Sequence, residues 1–247
     1  MSQPVFVDLN CDLGESFGSW QMGLDDAVMP YIDMANIACG FHAGDANVMA
    51  RTLKLAKQHG VSIGAHPSYP DLQGFGRRSM AMSHSEIVNM LRYQIAALDG
   101  MARTAGTQIS YVKPHGALYN DMMSKPEVFD AVLEAVAGYY QPLKLMILAS
   151  AEQQQYRELA GRHGVALLFE AFADRRYTDT GSLTPRSQPG AVLSGAEVLA
   201  QVTQLVKLGF VTTDSGNTLA LKADTLCVHG DNPAALAQLK QIRALLA

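Results

Sequence analysis

Six short apolar, β-like runs in this chain each end in a tight cluster of acids, histidines, amides and glycines. Val5-Phe6-Val7 leads into Asp8-Leu9-Asn10-Cys11-Asp12-Leu13-Gly14-Glu15, and Ala35-Asn36-Ile37-Ala38 leads into Cys39-Gly40-Phe41-His42-Ala43-Gly44-Asp45. The run 61–65 leads into His66-Pro67, and the run 109–112 into Lys113-Pro114-His115-Gly116. The run 166–169 leads into Glu170 and Asp174-Arg175, and the run 225–228 into His229-Gly230-Asp231. Polar clusters recurring at strand C-terminal ends are the pattern of an α/β barrel. Its post-strand loops gather on one face and build the site there.

Between the clusters the periodicity turns helical. Residues 46–59 carry Leu53 and Ala56 on one face behind Asp45, a natural N-cap, and Gly60 ends the segment. Ser83-His84-Ser85-Glu86 is a capping box, followed by Ile87, Leu91, Ile95, Leu98 and Ala102 at amphipathic spacing. Helices are also predicted over 125–139 with Pro126 in the first turn, over 152–163, over 197–208 and over 233–246. Strands are predicted near 5–9, 34–38, 61–65, 109–113, 144–148, 166–169 and 225–228. Strands alternating with helices imply parallel pairing through right-handed crossovers. The expected architecture is an α/β fold, a seven-stranded (β/α) barrel forming one domain over 1–247. An open, doubly wound sheet shares the same local pattern and is the alternative. A β-hairpin near 210–222 and a long loop at 175–193 interrupt the alternation; loops of that length often serve as lids or binding loops.

The 247 residues suffice for one substantial core. A net charge of −4 argues against nucleic acid or an anionic membrane surface as partner. No apolar run approaches the ~18 residues of a membrane span, and no secretory signal is visible. Cys11, Cys39 and Cys227 are odd in number and widely spaced, which fits reduced thiols in the cytoplasm.

Asp8, Asn10, Asp12 and Glu15 fall within eight residues, and alternation along a strand can aim Asp8, Asn10 and Asp12 into one mouth. Crowded carboxylates bind a cation or raise one another's pKa values. Four of the seven histidines (His42, His66, His115 and His229) stand at strand ends, which suits a proton-transfer or metal site. His59, His84 and His163 lie at helix ends and read as structural. Lys113 at a strand end can hold a phosphate or carboxylate or form a Schiff base. Arg77, Arg78, Arg175 and Arg186 are candidate clamps for an anion. Cys11 and Cys39 read as small packing residues. The chain contains no phosphate-binding P-loop, no Gly-x-Ser-x-Gly elbow and no His-Glu-x-x-His helix.

At these same clusters the chain resembles the LamB/YcsF family. The matching stretches are 8–15, 35–45, 63–71 and 113–120, then Phe172-Ala173-Asp174-Arg175, Gly181-Ser182-Leu183-Thr184-Pro185-Arg186 and Val228-His229-Gly230-Asp231. They run in order along almost the whole chain. Departures are Cys11, where the family can carry Ala, and Arg176, where a small residue is frequent. The resemblance implies a barrel of the glycoside hydrolase/deacetylase type, irregular and seven-stranded. It also implies a role in ATP-driven opening of 5-oxoproline (pyroglutamate) to L-glutamate, together with 5-oxoprolinase subunits B and C.

Under that reading ATP is a co-substrate, accompanied by Mg²⁺. Asp8, Asp12 and Glu15 are candidates to hold Mg²⁺ or act as base. Lys113 and an arginine are candidates to face phosphate or the substrate carboxylate, and His42, His66 and His229 to transfer protons. Asn10, Asn36, His115, Asp174, Arg175 and Arg186 are candidate substrate contacts. Two other readings stay open. One is a stand-alone metal-dependent amidase or deacetylase with His42, His66, His229 and Asp8 as ligands; the other is a non-catalytic subunit that only binds substrate.

Overall fold

The computed structural model describes residues 7–230 and 232–246; Val5, Phe6 and Asp231, members of two of the sequence clusters, lie outside the described residues. The strands are β1 (Asp8–Leu13), β2 (Met34–Ala38), β3 (Ser62–His66), β4 (Ile109–Val112), β5 (Lys144–Leu148) and β6 (Leu167–Phe172). They are followed by an antiparallel hairpin of β7 (Phe210–Thr212) and β8 (Thr218–Ala220), and then β9 (Thr225–Cys227). The order β1-β2-β3-β4-β5-β6-β9 closes on itself, because β9 pairs in parallel with both β6 and β1. This is the seven-stranded parallel barrel that the alternation predicts. Closure rules out the open sheet.

The crossovers are α1 (Asp25–Val28), α2 (Ala46–His59), α3 (His84–Thr104), α4 (Gly116–Ser124), α5 (Pro126–Ala137), α6 (Gln153–Arg162), α7 (Ala196–Thr203) and α8 (Pro233–Leu246). Local chemistry sets their ends. The Asp45 carboxylate accepts from the amides of Asn47 and Val48 at the start of α2, and Gly60 closes it at φ 67°. Ser83 and Glu86 form the complete capping box of α3. Ile87, Leu91, Ile95, Leu98 and Ala102 of α3 are buried, as their spacing predicts. α7 ends earlier than expected, passing into a π-type turn at Gln204–Leu208. α4 has no counterpart among the expected helices.

The first strand is the other displacement. It starts at Asp8, where the expected strand near 5–9 is nearly over. Asp8 therefore pairs with Thr225, the first residue of β9, at the N-terminal end of the barrel. The mouth falls instead to Asn10, Asp12 and the loop beyond Leu13.

One irregularity aims the central strand. Ile63 of β3 pairs with Ile109, but Gly64 pairs with Tyr111, so Ser110 is an extra residue in β4. This bulge leaves Ser110 exposed and sends Tyr111 inward. Tyr111 crosses the lumen to donate its hydroxyl to Asn36 Oδ1 at 2.7 Å. Its ring lies over Gly64, where a Cβ would come within 2.1 Å of it.

Gly64→Ala should therefore cost about 1–3 kcal/mol, the usual penalty for overpacking. Gly161→Ala, in α6 with nothing within 4 Å of the added Cβ, should stabilise by about 0.5–1 kcal/mol. Denaturant titration of both variants decides it, and equal effects at the two positions would contradict this packing.

Candidate active site

Lys113 follows β4 and projects into the lumen, with only 2% of its surface exposed. Its Nζ lies 3.0 Å from Asp12 Oδ1 on β1 and 3.0 Å from Glu170 Oε2 on β6. It also lies 3.3 Å from Asn10 Oδ1 and 3.4 Å from Cys227 Sγ. None of these strands is β4's neighbour on the sheet, so the lysine spans the barrel. Asn36 Nδ2 donates to both Asn10 Oδ1 and Asp12 Oδ1 at 2.8 Å, completing a layer of polar groups across the lumen.

Charge states follow from these contacts. Burial alone would raise the Asp12 carboxyl, but His66 and Lys113 outweigh it and hold Asp12 well below the usual carboxylate range. Burial opposes the Lys113 ammonium, yet the Asp12 and Glu170 carboxylates keep it well above the usual lysine value. Glu170 is raised by burial, with Lys113 opposing. Burial pushes the Cys227 thiol far up and the Cys39 thiol to about 12, opposite to the lowered pKa of a reactive cysteine.

Above this layer sit three imidazoles. His66 Nδ1 lies 2.7 Å from the Lys113 carbonyl, and His115 Nε2 lies 2.9 Å from the Phe75 carbonyl. A carbonyl only accepts, so each of these nitrogens carries a proton. His66 Nε2 then faces His115 Nδ1 at 2.9 Å, and also Asp12 Oδ2 at 3.4 Å. His42 stacks on His115 with ring centroids 3.8 Å apart and points Nε2 at Glu15 Oε1, 3.2 Å away. Burial first, then the neighbouring histidines, holds His42 and His115 well below the usual 6.5. Glu15 is raised, chiefly by burial.

The loop after β3 builds this wall. Phe75 adopts φ 54°, a left-handed conformation that non-glycine residues seldom take, and thereby presents its carbonyl to His115. Gly76 follows at φ 65°, and a Cβ there would come within 2.8 Å of both His115 and His42.

A cleft of about 520 Å³ opens beside the cluster, lined by Arg77, Asp174, Arg186, His229 and residues of α8. Asp174 Oδ2 meets His229 Nδ1 at 2.7 Å. Burial would raise Asp174, but His229 prevails and lowers it. His229, Cys227 and Asp12 bring ligand-type atoms within 4.8 Å of one another, so the cleft communicates with the lumen layer.

Asp12, Glu15, Asn10, Asn36, His42, His66, Lys113 and His115 thus converge at the mouth, and Asp174, Arg186 and His229 line the adjoining cleft. Asp8 does not converge: it stands at the opposite end, among Asp33, Arg243 and Lys144. An Asp8–Asp12–Glu15 magnesium site cannot form, and the remaining donors are mostly imidazoles, which do not suit Mg²⁺. Lys113 is neither an exposed strand-end lysine nor an unpaired anion receptor, because two carboxylates already engage it. Arg175 is buried and donates to the Thr184 carbonyl at 2.7 Å, bracing the long loop instead of lining the cleft. Glu170 joins the site although sequence reasoning assigns it no role there. Its only signal is an acid at the end of an apolar run. Among the described residues, no helix is long and apolar enough to cross a membrane.

Comparison with known proteins agrees with this architecture. A protein from Vibrio cholerae serotype O1, named as the A subunit of 5-oxoprolinase, is 59% identical over 241 residues, 97% of each chain. One from Pseudomonas putida, named as A subunit 2 of the same enzyme, is 57% identical over 239 residues, covering 96% of this chain and 93% of its own. The crystal structure of a lactam utilization protein from Thermus thermophilus superposes with a TM-score of 0.89 at 39% identity, covering 97% of this chain and 95% of that one. The LamB/YcsF family model matches residues 7–247, and the chain belongs to the LamB/YcsF family.

Proposed function

We propose that this chain is a subunit of an ATP-dependent 5-oxoprolinase and that its barrel mouth opens 5-oxo-L-proline to L-glutamate. Partner subunits B and C complete the enzyme, and ATP is converted to ADP and phosphate. The names of relatives that match nearly end to end support the assignment. The structural observation that carries it is the junction of two sites. An arginine-lined cleft of about 520 Å³, adequate for a small carboxylate, meets a buried acid–histidine–lysine layer at Asp12 and His229.

Chemistry explains the ATP. A five-membered lactam is an unstrained amide, and phosphorylating its oxygen makes the ring carbon electrophilic. Water then adds as a base takes its proton, and the ring C–N bond breaks as its nitrogen gains one. The acyl phosphate left hydrolyses to the γ-carboxylate and phosphate. His229, oriented by Asp174, is placed to move these protons. Arg77 and Arg186 are placed to hold the substrate carboxylate and the phosphoryl group. Mg²⁺ accompanies ATP and needs no site on this chain. The three buried cysteines form no disulfide among the described residues, which suits a cytoplasmic enzyme.

The direct test is reconstitution. The chain alone should turn over little or no 5-oxoproline, and adding subunits B and C should yield glutamate in proportion to ATP consumed. Full activity of the isolated chain would remove the heteromeric reading.

Lys113→Met should lower the rate of the reconstituted enzyme by at least ~10²-fold and destabilise the fold by about 3–5 kcal/mol, because it leaves buried carboxylates uncompensated. Adding Glu170→Gln should recover part of the stability without the activity. A stable, active Lys113→Met enzyme would show that the charged layer is dispensable.

Acidification has a definite sign. His42 and His115 are held below the usual 6.5, so their contribution to stability is complete above that value. It is lost as pH falls from 6.5 towards their folded-state values, because the unfolded chain then binds more protons. Denaturation midpoints should drop between about pH 7.5 and 5.5, and a flat profile would contradict neutral imidazoles.

A further inference from the structure

Two imidazole nitrogens meet at a contact that needs one positive charge, a proton or a metal ion. His66 Nδ1 and His115 Nε2 are both committed as donors to backbone carbonyls, at 2.7 Å and 2.9 Å. Were both rings neutral, the remaining nitrogens, His66 Nε2 and His115 Nδ1, would both be acceptors, yet they stand 2.9 Å apart. Two acceptors at that distance repel unless a cation lies between them. The surroundings favour one: Glu15 Oε1 is 3.6 Å from His115 Nδ1, and Asp12 Oδ2 is 3.4 Å from His66 Nε2. His42 adds a third imidazole, with its Nε2 3.2 Å from Glu15 Oε1.

We infer that Glu15, His42, His66 and His115 form a binding site for one divalent transition-metal ion. Their four ligand atoms already lie within 4.8 Å of one another, and His42, stacked flat on His115, has to turn out of that stack to aim its lone pair at the same ion. Three imidazoles and a carboxylate suit zinc or its first-row neighbours and disfavour Mg²⁺ or Ca²⁺, which take oxygen donors.

The surrounding shell is that of a metal centre. A ligating histidine normally gives its second N–H to a carbonyl or carboxylate, which fixes its tautomer and aim. His66 and His115 do so, each with a backbone carbonyl. The Phe75 carbonyl serves only because that residue accepts a left-handed φ of 54°. His42 differs, because its Nδ1 is buried with no hydrogen-bond partner among the described residues. His66 and His115 are thus the anchoring ligands and His42 the weaker one. An ion there would tie the loop after β1, the loop after β2, the end of β3 and the loop after β4 together at the mouth, a few ångströms from Asp12.

This inference deepens the reading of the mouth as the working site, but its test is separate from turnover. Tag-free full-length chain, stripped with chelator, is titrated with ZnCl₂ by calorimetry and with CoCl₂ by visible absorption. One equivalent of Zn²⁺ should bind. Co²⁺ should give the intense visible bands of a four-coordinate nitrogen–oxygen site, and Zn²⁺ should raise the melting temperature.

His66→Ala and His115→Ala should each weaken Zn²⁺ binding by ~100-fold or more, His42→Ala by ~10-fold, following the loss expected for ligands and their shell. His84→Ala, at a surface histidine paired with Asp130, should change nothing. Circular dichroism, together with His115→Gln as a gentler variant, separates ligand loss from unfolding. No stoichiometric binding by the stripped, folded wild type would overturn the inference and leave a shared proton between the two rings. Undiminished binding by folded His66 and His115 variants would overturn it as well. Either outcome leaves 5-oxoprolinase turnover by the reconstituted complex to be judged on its own.

Discussion

A single buried ammonium organises the interior of this barrel. Lys113 reaches from β4 to carboxylates on β1 and β6, strands it never touches through the sheet. Desolvating three charges is expensive, and such groups are tolerated only with close pairing and added hydrogen bonds, which Asn10 and Asn36 supply. The arrangement also specifies register. Slipping β4 by one residue would turn Lys113 out of the lumen and leave Asp12 and Glu170 facing each other without a cation. The bulge at Ser110 sets that register. It places Tyr111 and Lys113 on the inward face, while Ser110 donates its hydroxyl to the Ile63 carbonyl at 3.2 Å.

The imidazole wall is organised differently, by main-chain carbonyls. Lys113 contributes twice: its side chain closes the charged layer, and its carbonyl fixes the tautomer of His66. Strand β4 thus determines both the charge of the lumen and the direction of the nearest imidazole lone pair. The loop after β3 does the same for His115 through a strained Phe75. Strain of this kind persists only where surrounding structure holds it, and here Gly76 lets the loop approach His42 and His115 within the space a Cβ would occupy.

Much of this is legible in the sequence. Alternating apolar runs and capped helices specify a barrel, and a polar cluster after each strand specifies its working end. The departures have local physical reasons. Val5-Phe6-Val7 is the most apolar part of the first segment, and a strand centred there carries Asp8 to the mouth. In fact β1 is built from Asp8–Leu13, whose alternate polar residues face a polar lumen, so apolar content misplaces it. Glu170 escapes sequence reading because its partner is 57 positions away, and no local pattern announces a long-range ion pair. Arg175 reads as a clamp because charge is visible in a sequence and burial is not. Helix α4 is short and lies between Pro114 and Pro126, where turn signals mask a nine-residue helix.

The mouth therefore divides its charges into those already satisfied and those left for a ligand. Lys113 is paired with Asp12 and Glu170, and Arg78 with Asp71, while Arg175 is turned away from the cleft to the Thr184 carbonyl. The cations that line the cleft are Arg77 and Arg186. Arg77 lies over the Phe75 ring at 5.2 Å, next to the backbone carbonyl that fixes His115. Arg77 is thereby packed on the residue whose carbonyl aims His115. Arg186 belongs to the long loop braced by Arg175, and so tethers the opposite side of the cleft to the end of β6 and its buried Glu170. The cleft and the buried layer thus share their supports on both sides. This is the physical reason for the polar clusters lying immediately beyond the strands: side chains one or two residues past a rigid strand inherit its position, whereas those farther along a loop do not.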